Sequence, residues 1–477
     1  MSNSGEMNSL GYQTMATITF LGAAGTVTGS KYLIKGKRAT ILVDAGIFQG
    51  SRELRERNWT PPPFSVDAVN AVVLTHAHID HTGLLPRLGA QGLTCPIIGT
   101  APTIELAQLL LLDSGRLNEE EASFRAEKVG SRHQTPRPLY TEDDVKRVLA
   151  QFRSVPLHEE VTVAPGISVT WIPAGHIIGA SSLYVSVDGK DIFFSGDIGR
   201  YDDDLLPPPA SRAFGEIVLM EGTYGGRRHG IRENSEDSPQ QRLGEIINDT
   251  VARHGVVVVP SFAIGRTQQL LHQLKNLKDK RLIPDIPVIV DSPMARDATG
   301  IYARYASFLS EGMQSKLSRD GEPFCPSHLA FTTSREESKR LNQIDEPMIL
   351  ISASGMLSGG RILHHLKVRV SDPRNTILFV GFQPPGSRGA SLLSGDPAVR
   401  IFHEDIPVRA AIEEISGFSA HADHDELLRW AKEGSGTPDR AYIVHAEPEA
   451  ANALQSDLRK TLGWGVKVAT HGEEVAV

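Results

Sequence analysis

The chain has 477 residues, with 49 Lys and Arg against 57 Asp and Glu and a formal charge of −8. That balance excludes a protein that holds nucleic acid through overall basicity, because binding by counterion release needs many cations facing phosphates. With 40% hydrophobic and 22% charged residues the chain is globular in makeup. At roughly 150 residues per domain its length suggests two or three domains, or one large domain with an insertion. The polar stretch 1–14 lacks the basic-then-apolar layout of a signal peptide and is expected to be a disordered tail. Cys95 and Cys325 stand alone, which supports neither a disulfide framework nor a cysteine zinc site. No uncharged apolar run approaches the ~18 residues of a membrane span, so a soluble, cytoplasmic setting is expected.

Short runs that alternate or are wholly apolar predict strands at 16–21, 32–34, 40–43 and 71–75. Helical periodicity follows at 84–88 and 103–112, then further strands within 161–172, 182–187, 191–194 and 217–220. This first part is expected to be β-rich with helices packed outside it. After Gly222, strands at 256–260, 288–290 and 348–351 alternate with helices at 266–277, 295–309 and 360–368. Such βαβ spacing predicts a parallel sheet with helices on its faces. The chain then reads as strands at 377–380 and 408–413, a helix at 423–431 and a strand at 441–444, with 202–209 and 227–239 as flexible connectors. The glycines of GAAGTVTG, Gly22 to Gly29, match neither Walker A nor GxGxxG spacing and are assigned to tight turns.

One hexapeptide dominates the chemistry: His76-Ala77-His78-Ile79-Asp80-His81, directly after an apolar strand and before a helix. In extended chain, residues two apart point the same way, so His76 and His78 can present nitrogens to one cation. Asp80 and His81 then project from the turn and suit a second cation. Further ligands are expected at strand ends, and His176 and Asp197 each follow a predicted strand. A carboxylate between two cations can bridge them at the roughly 3.5–4 Å separation that suits displacement at phosphorus. Asp44 also ends a strand, where an ordinary turn Asp before Gly is the competing reading.

The series Asp44, HAHIDH, His176 and Asp197 resembles the metal motifs of the metallo-β-lactamase fold. Glu221 in MEGTYG, His421 in SGFSAHAD and His445 in YIVHAEPEA resemble the later motifs of its β-CASP branch, whose members are nucleases. The resemblance implies an αββα sandwich (residues 15–221 and 410–477) with an inserted β-CASP α/β domain (222–409), its parallel sheet flanked by helices. It implies two Zn²⁺: one on His76, His78, His176 and Asp197, the other on Asp80, His81, Asp197 and His445. Asp44 would orient a ligand, and His421, held by Glu221, would protonate the departing oxygen. His445, where DNA-acting relatives such as Artemis carry valine, favours RNA. Ala446 departs from the glycine common after that histidine and could crowd the second site.

The activity this implies is zinc-dependent hydrolysis of single-stranded RNA, by endonuclease or 5′→3′ exonuclease action, with no membrane partner and a homodimer as the open assembly option. The chain ends soon after His445, whereas ribonuclease J members usually carry a further domain; this leans toward the 3′-end-processing-like endonucleases. A metallo-β-lactamase-fold hydrolase of a small thioester or lactam is the alternative, against which the long insertion and Glu221 with His421 argue. A scaffold that has lost catalysis is opposed by the intact ligand set. Arg227, Arg228, Arg266, Arg361 and Arg388 lie in Gly-containing loops or at helix starts, where backbone N–H groups and guanidinium forks can share a phosphate. Ser354-Gly355 could add a hydroxyl-and-amide nest. The expected RNA contacts are therefore Ser354, Gly355, Arg266 and Arg388.

Overall fold

The computed structural model describes residues 15–128, 136–210, 212–228, 238–381, 383 and 386–477. The expected tail at 1–14 and most of the expected connector 227–239 lie outside the described residues. β1 Thr17–Phe20, β2 Tyr32–Lys35 and β3 Thr40–Val43 pair antiparallel. β4 Ala71–Val73, β5 Ile97–Thr100 and β6 Phe152–Val155 extend that sheet in parallel. β7 Glu160–Ala164, β8 Ile167–Pro173, β9 Ser181–Val187 and β10 Lys190–Phe194 form an antiparallel meander, which β11 Ile217–Glu221 joins in parallel. The apolar stretch 161–172 is thus a hairpin, turned at Gly166 with φ +80°.

A third sheet holds β12 Val257–Pro260, β13 Val288–Asp291, β14 Leu329–Phe331, β15 Ile349–Ser352 and β16 Thr376–Phe379, all parallel. After the hairpin β17 Ala398–Ile401 and β18 Glu404–Pro407, β19 Ala411–Glu414 closes it in the order β14-β13-β15-β12-β16-β19. The third sheet therefore runs past residue 409, the edge expected for the insertion. β20 Arg440–Val444 and β21 Val466–Val468 then return to the second sheet beside β11, and β22 Glu474–Ala476 returns to the first beside β1.

The two chain ends so build one sandwich. Alternate residues Ile18, Phe20, Ile34 and Val43 of one sheet meet Val169, Trp171, Leu183 and Tyr442 of the other in a continuous core, as the two-residue side-chain period requires. β9 is antiparallel to both β8 and β10, while β10, β11 and β20 are parallel. Consequently β8, β10, β11 and β20 all end at one edge, and Ser181 N donates to Thr75 O (2.9 Å) to bring the end of β4 to the same place.

Local composition mispredicts some segments. The helix expected at 103–112 runs from Ala101 to Lys128, its second half too polar to show periodicity. The segment expected at 295–309 breaks after Arg304 into a short 3₁₀ turn at Ala306–Phe308. The loop 202–209 is a packed joint rather than a flexible connector. Asp203 Oδ1 accepts from Leu205 N and Leu206 N, both leucines are buried, and Ser310 N from the third-sheet layer donates to Leu205 O (3.0 Å). Among the described residues no helix is long and apolar enough to cross a membrane.

Candidate metal centre

The hexapeptide begins where β4 ends. Asp44, at the end of β3 with φ +55°, accepts from Thr75 N and Thr75 Oγ1 and lies 2.8 Å from His81 Nδ1. Asp44 therefore fixes the His81 tautomer, leaving Nε2 to face the centre. The turn itself is clamped from below: Ser30 N donates to Asp80 O and Ala45 N to His81 O. A Cβ on Gly46 would lie 1.5 Å from Asp80 O, so only glycine permits that approach.

Four donors converge at the first position. His78 Nδ1 lies 3.1 Å from His76 Nε2 and 3.2 Å from His176 Nε2, and Asp197 Oδ2 is 3.4 and 3.6 Å from those same Nε2 atoms. Tetrahedral zinc with ligands at ~2.0–2.1 Å requires donor separations of about 3.3–3.4 Å, so this set fits one ion. Burial pushes His78 down to about 4 and holds His76 and His176 well below their ordinary value, which keeps their nitrogens free to ligate.

Asp80, His81 and His445 form the second group. His445 Nε2 is 3.4 Å from Asp80 Oδ2, and His81 Nε2 is 3.4 Å from Asp197 Oδ1. Both His81 Nε2 and Asp197 Oδ1 are buried without a hydrogen-bond partner. Leaving such atoms unmatched costs roughly 1–3 kcal/mol each, more for a charged group. Two orphaned donors aimed at one point fit a cation between them. Burial works against a charged His81, but Asp197 and Asp44 outweigh it and raise its pKa well above the ordinary value.

Glu221, the last residue of β11, is fully buried. Its Oε1 accepts from Ile198 N (2.7 Å) and its Oε2 from Thr223 N (3.0 Å). Oε1 also lies 3.2 Å from His421 Nδ1, while His421 Nε2 stands 4.0 Å from Asp197 Oδ2. The ring packs 4.4 Å from that of His176. Burial disfavours the imidazolium, but Glu221 and then Asp197 outweigh it and raise the His421 pKa. The residues Asp44, His76, His78, Asp80, His81, His176, Asp197, Glu221, His421 and His445 thus meet at one edge. Ala446 is buried in the core behind β20, where a Cβ on Gly222 would approach its methyl to 3.1 Å. Gly222 makes the room that the methyl needs.

The arginines depart from expectation because protein oxygens claim them. Arg228 pairs with Asp425 and Arg361 with Asp291, both at 2.7 Å. Arg388 donates Nε to Arg400 O and Nη1 to Leu357 O, so it ties loops together. Arg266 is buried, with Nη1 on Gln269 Oε1 (2.8 Å) and Nε unpartnered, and burial pushes its pKa down to about 10. Its turn packs on the loop of His176, since a Cβ on Gly265 would lie 3.0 Å from Ile177 Cγ2. Ser354 and Gly355 sit beyond the C-terminal end of β15, with Ser354 Oγ 3.0 Å from Ser358 Oγ and Gly355 O accepting from Gln383 Nε2. Thr75 and Thr223 escaped sequence reasoning. Thr223 Oγ1 lies 3.0 Å from His445 Nδ1, and the only signals were adjacency to His76 and to Glu221.

Three family models match the chain: the Metallo-beta-lactamase superfamily over residues 24–284, the Beta-Casp domain over 267–392, and the Zn-dependent metallo-hydrolase RNA specificity domain over 405–469. Ribonuclease TTHA0252 of Thermus thermophilus is 37% identical, over 96% of this chain and 99% of its own. Transcription termination factor FttA of Methanosarcina mazei is 30% identical, over 96% of this chain and 71% of its own. A solved protein of unknown function from Enterococcus faecalis V583 shares the fold, with a TM-score of 0.53 at 14% identity over 97% of this chain and all of that one. With the donor geometry, these matches make the chain a member of the metallo-beta-lactamase superfamily, in the branch that carries a Beta-Casp domain, and a metal-dependent hydrolase.

Proposed function

We propose that this protein is a zinc-dependent ribonuclease that hydrolyses phosphodiester bonds of single-stranded RNA in the cytoplasm. The observation that carries this reading is the pair of adjacent donor groups, with Asp197 in the first and its Oδ1 3.4 Å from His81 Nε2 of the second, and His421 held beside them by Glu221. His76, His78, His176 and Asp197 would hold one Zn²⁺, and Asp80, His81, Asp197 and His445 the other. Bound zinc supplies Lewis acidity and positive charge at the scissile phosphate, which offsets the acidity of the chain locally.

The chain's own residues do the rest. Glu221 accepts the Nδ1 proton of His421 and so turns Nε2 toward the centre, where it carries the proton needed by the departing oxygen. Asp44 and Thr223 hold the His81 and His445 rings in their ligating tautomers. Of the expected RNA contacts, Arg388 is taken up by two backbone carbonyls, which leaves Arg266, Ser354 and Gly355 as the residues that would meet the strand. Of these, Arg266 has the strongest support, since its buried Nε lacks an acceptor. The test is incubation of the zinc-loaded protein with 5′-labelled single-stranded RNA, with and without a 5′ monophosphate. Internal fragments identify an endonuclease and released mononucleotides an exonuclease. Intact RNA alongside thioester hydrolysis overturns the reading.

A further inference from the structure

We infer that Phe262 is a stacking platform for an RNA base beside the metal centre; this rests on the ribonuclease reading above. Phe262 follows β12 at the C-terminal edge of the third sheet and is 43% exposed. Other large exposed apolar side chains lie elsewhere: Leu117 and Phe124 on the helix Ala101–Lys128, and Phe402 at the tip of the β17–β18 hairpin. Phe262 is the exposed ring on the turn that joins the third sheet to the metal site. Three residues on, Gly265 abuts Ile177, the neighbour of His176. On its other side, Gly355 has no side chain, and a Cβ there would come within 3.0 Å of the Phe262 ring. The ring therefore packs on Gly355, while the turn that carries it meets the His176 loop three residues on, at Gly265.

The backbone of the turn that carries the ring is fixed. Phe262 O accepts from Thr267 Oγ1 (2.7 Å) and Thr267 N (3.2 Å), and Thr267 Oγ1 also reaches Ser261 Oγ. Ser261 N is fixed to Ser352 O of β15, and Gly265 N donates to Gln268 Oε1. A ring carried on a backbone fixed in this way has the turn's ordering cost met before any ligand arrives, which favours binding. Every nucleobase has a π-face, and stacking tolerates any sequence, so the chemistry that fits is an unpaired base whose phosphates run past Arg266 and Ser354. A paired base has both faces covered, so the platform would also select single strands.

The test measures KM and kcat of the zinc-loaded wild type, Phe262→Ala, Phe262→Leu and Phe262→Trp on single-stranded RNA. A parallel set of RNAs carries one abasic nucleotide at successive positions around the cleavage site. Removing a stacked base weakens binding roughly fivefold to hundredfold. We expect Phe262→Ala and Phe262→Leu to raise KM by that factor, Phe262→Trp to match or better the wild type, and zinc content to stay unchanged. At one abasic position the Phe262→Ala penalty should vanish, because the partner is already gone. Normal cleavage with the same KM in Phe262→Ala overturns the platform alone, as does an equal penalty at every abasic position. A zinc-loaded wild type that leaves all RNA intact overturns the ribonuclease reading, and the platform with it.

Discussion

Two buried aspartates close two strands of this molecule and live in opposite circumstances. Asp291, the last residue of β13, is saturated. Thr332 Oγ1 and Arg361 Nη1 meet its Oδ1, and Ser338 Oγ and His365 Nε2, both at 2.6 Å, meet its Oδ2. Asp197, three residues past β10, has an orphaned Oδ1 and is ringed by imidazole nitrogens at 3.4–3.8 Å, beyond ordinary hydrogen-bond length. A buried carboxylate with every lone pair answered is finished and serves the fold. One whose oxygens face imidazole nitrogens beyond hydrogen-bond length is unfinished, and a cation between them would complete it. Satisfaction, more than burial or charge, separates the structural cluster from the chemical one.

Asp197→Ala should break the comparison most severely. It removes a donor from both groups, so zinc content should drop and RNA cleavage should fall beyond the roughly 100- to 1000-fold loss of a single transition-state donor. Chelation of the wild type should match it, while thermal unfolding of the metal-free proteins stays close; elemental analysis, single-turnover kinetics and calorimetry read the three. His421→Ala should come next, at about 100- to 10,000-fold in kcat with zinc retained. Because Glu221 and Asp197 raise the His421 pKa, the wild-type rate should hold through neutrality and decline only as pH climbs past that raised value and the acid loses its proton. The variant should lose this basic limb, and a substrate with a sulfur leaving atom should narrow the defect. An unchanged pH profile in the variant would remove His421 from proton transfer.

Asp291→Asn should leave zinc untouched and cost stability instead, about 3–5 kcal/mol in urea unfolding, because it strands Arg361 and His365 without their carboxylate. Burial opposes the Asp291 charge, but hydrogen bonds from His365, Ser338, Thr332 and Arg361 outweigh it and hold its pKa well below the carboxylate range. Its contribution is therefore complete above the unfolded value near ~4 and is lost as pH falls from there toward the folded value. The variant should show less acid sensitivity than the wild type below ~4. Full retention of stability would mean that the saturated cluster is idle.

The contrast between these clusters also marks what was legible in sequence. HAHIDH was readable because its donors are neighbours and strand geometry dictates where they point. His176 and Asp197 were singled out by their places after predicted strands, whereas Glu221, His421 and His445 joined the site only through resemblance, since no local rule says that β8, β10, β11 and β20 end together. Asp291 carried no signal: its partners Thr332, Ser338, Arg361 and His365 come from three different segments. The same blindness made Arg228, Arg361 and Arg388 look free for phosphate, because pairing with Asp425, Asp291 and two carbonyls is a tertiary event. Loop 202–209 looked flexible by its prolines and aspartates, yet two buried leucines anchor it.

The smallest effect sits at the border of the two kinds of cluster. Thr223 is an ordinary hydrogen-bonding residue by chemistry, but its Oγ1 lies 3.0 Å from His445 Nδ1, on the far side of the ring from Asp80. Because the same hydroxyl can donate to His445 O (3.3 Å), it can accept from the ring, which leaves Nε2 unprotonated and directed at the second group. Thr223→Val keeps the shape and removes the hydroxyl. Support of this kind is worth roughly 10- to 100-fold in metal affinity. Titration with zinc should therefore show the weaker of two binding steps shifted by that factor and the tighter one unmoved, with Thr223→Ser restoring the wild-type value. If both steps shift together, the two donor groups bind as one unit through Asp197; if neither shifts, His445 keeps its ligating tautomer without help from Thr223.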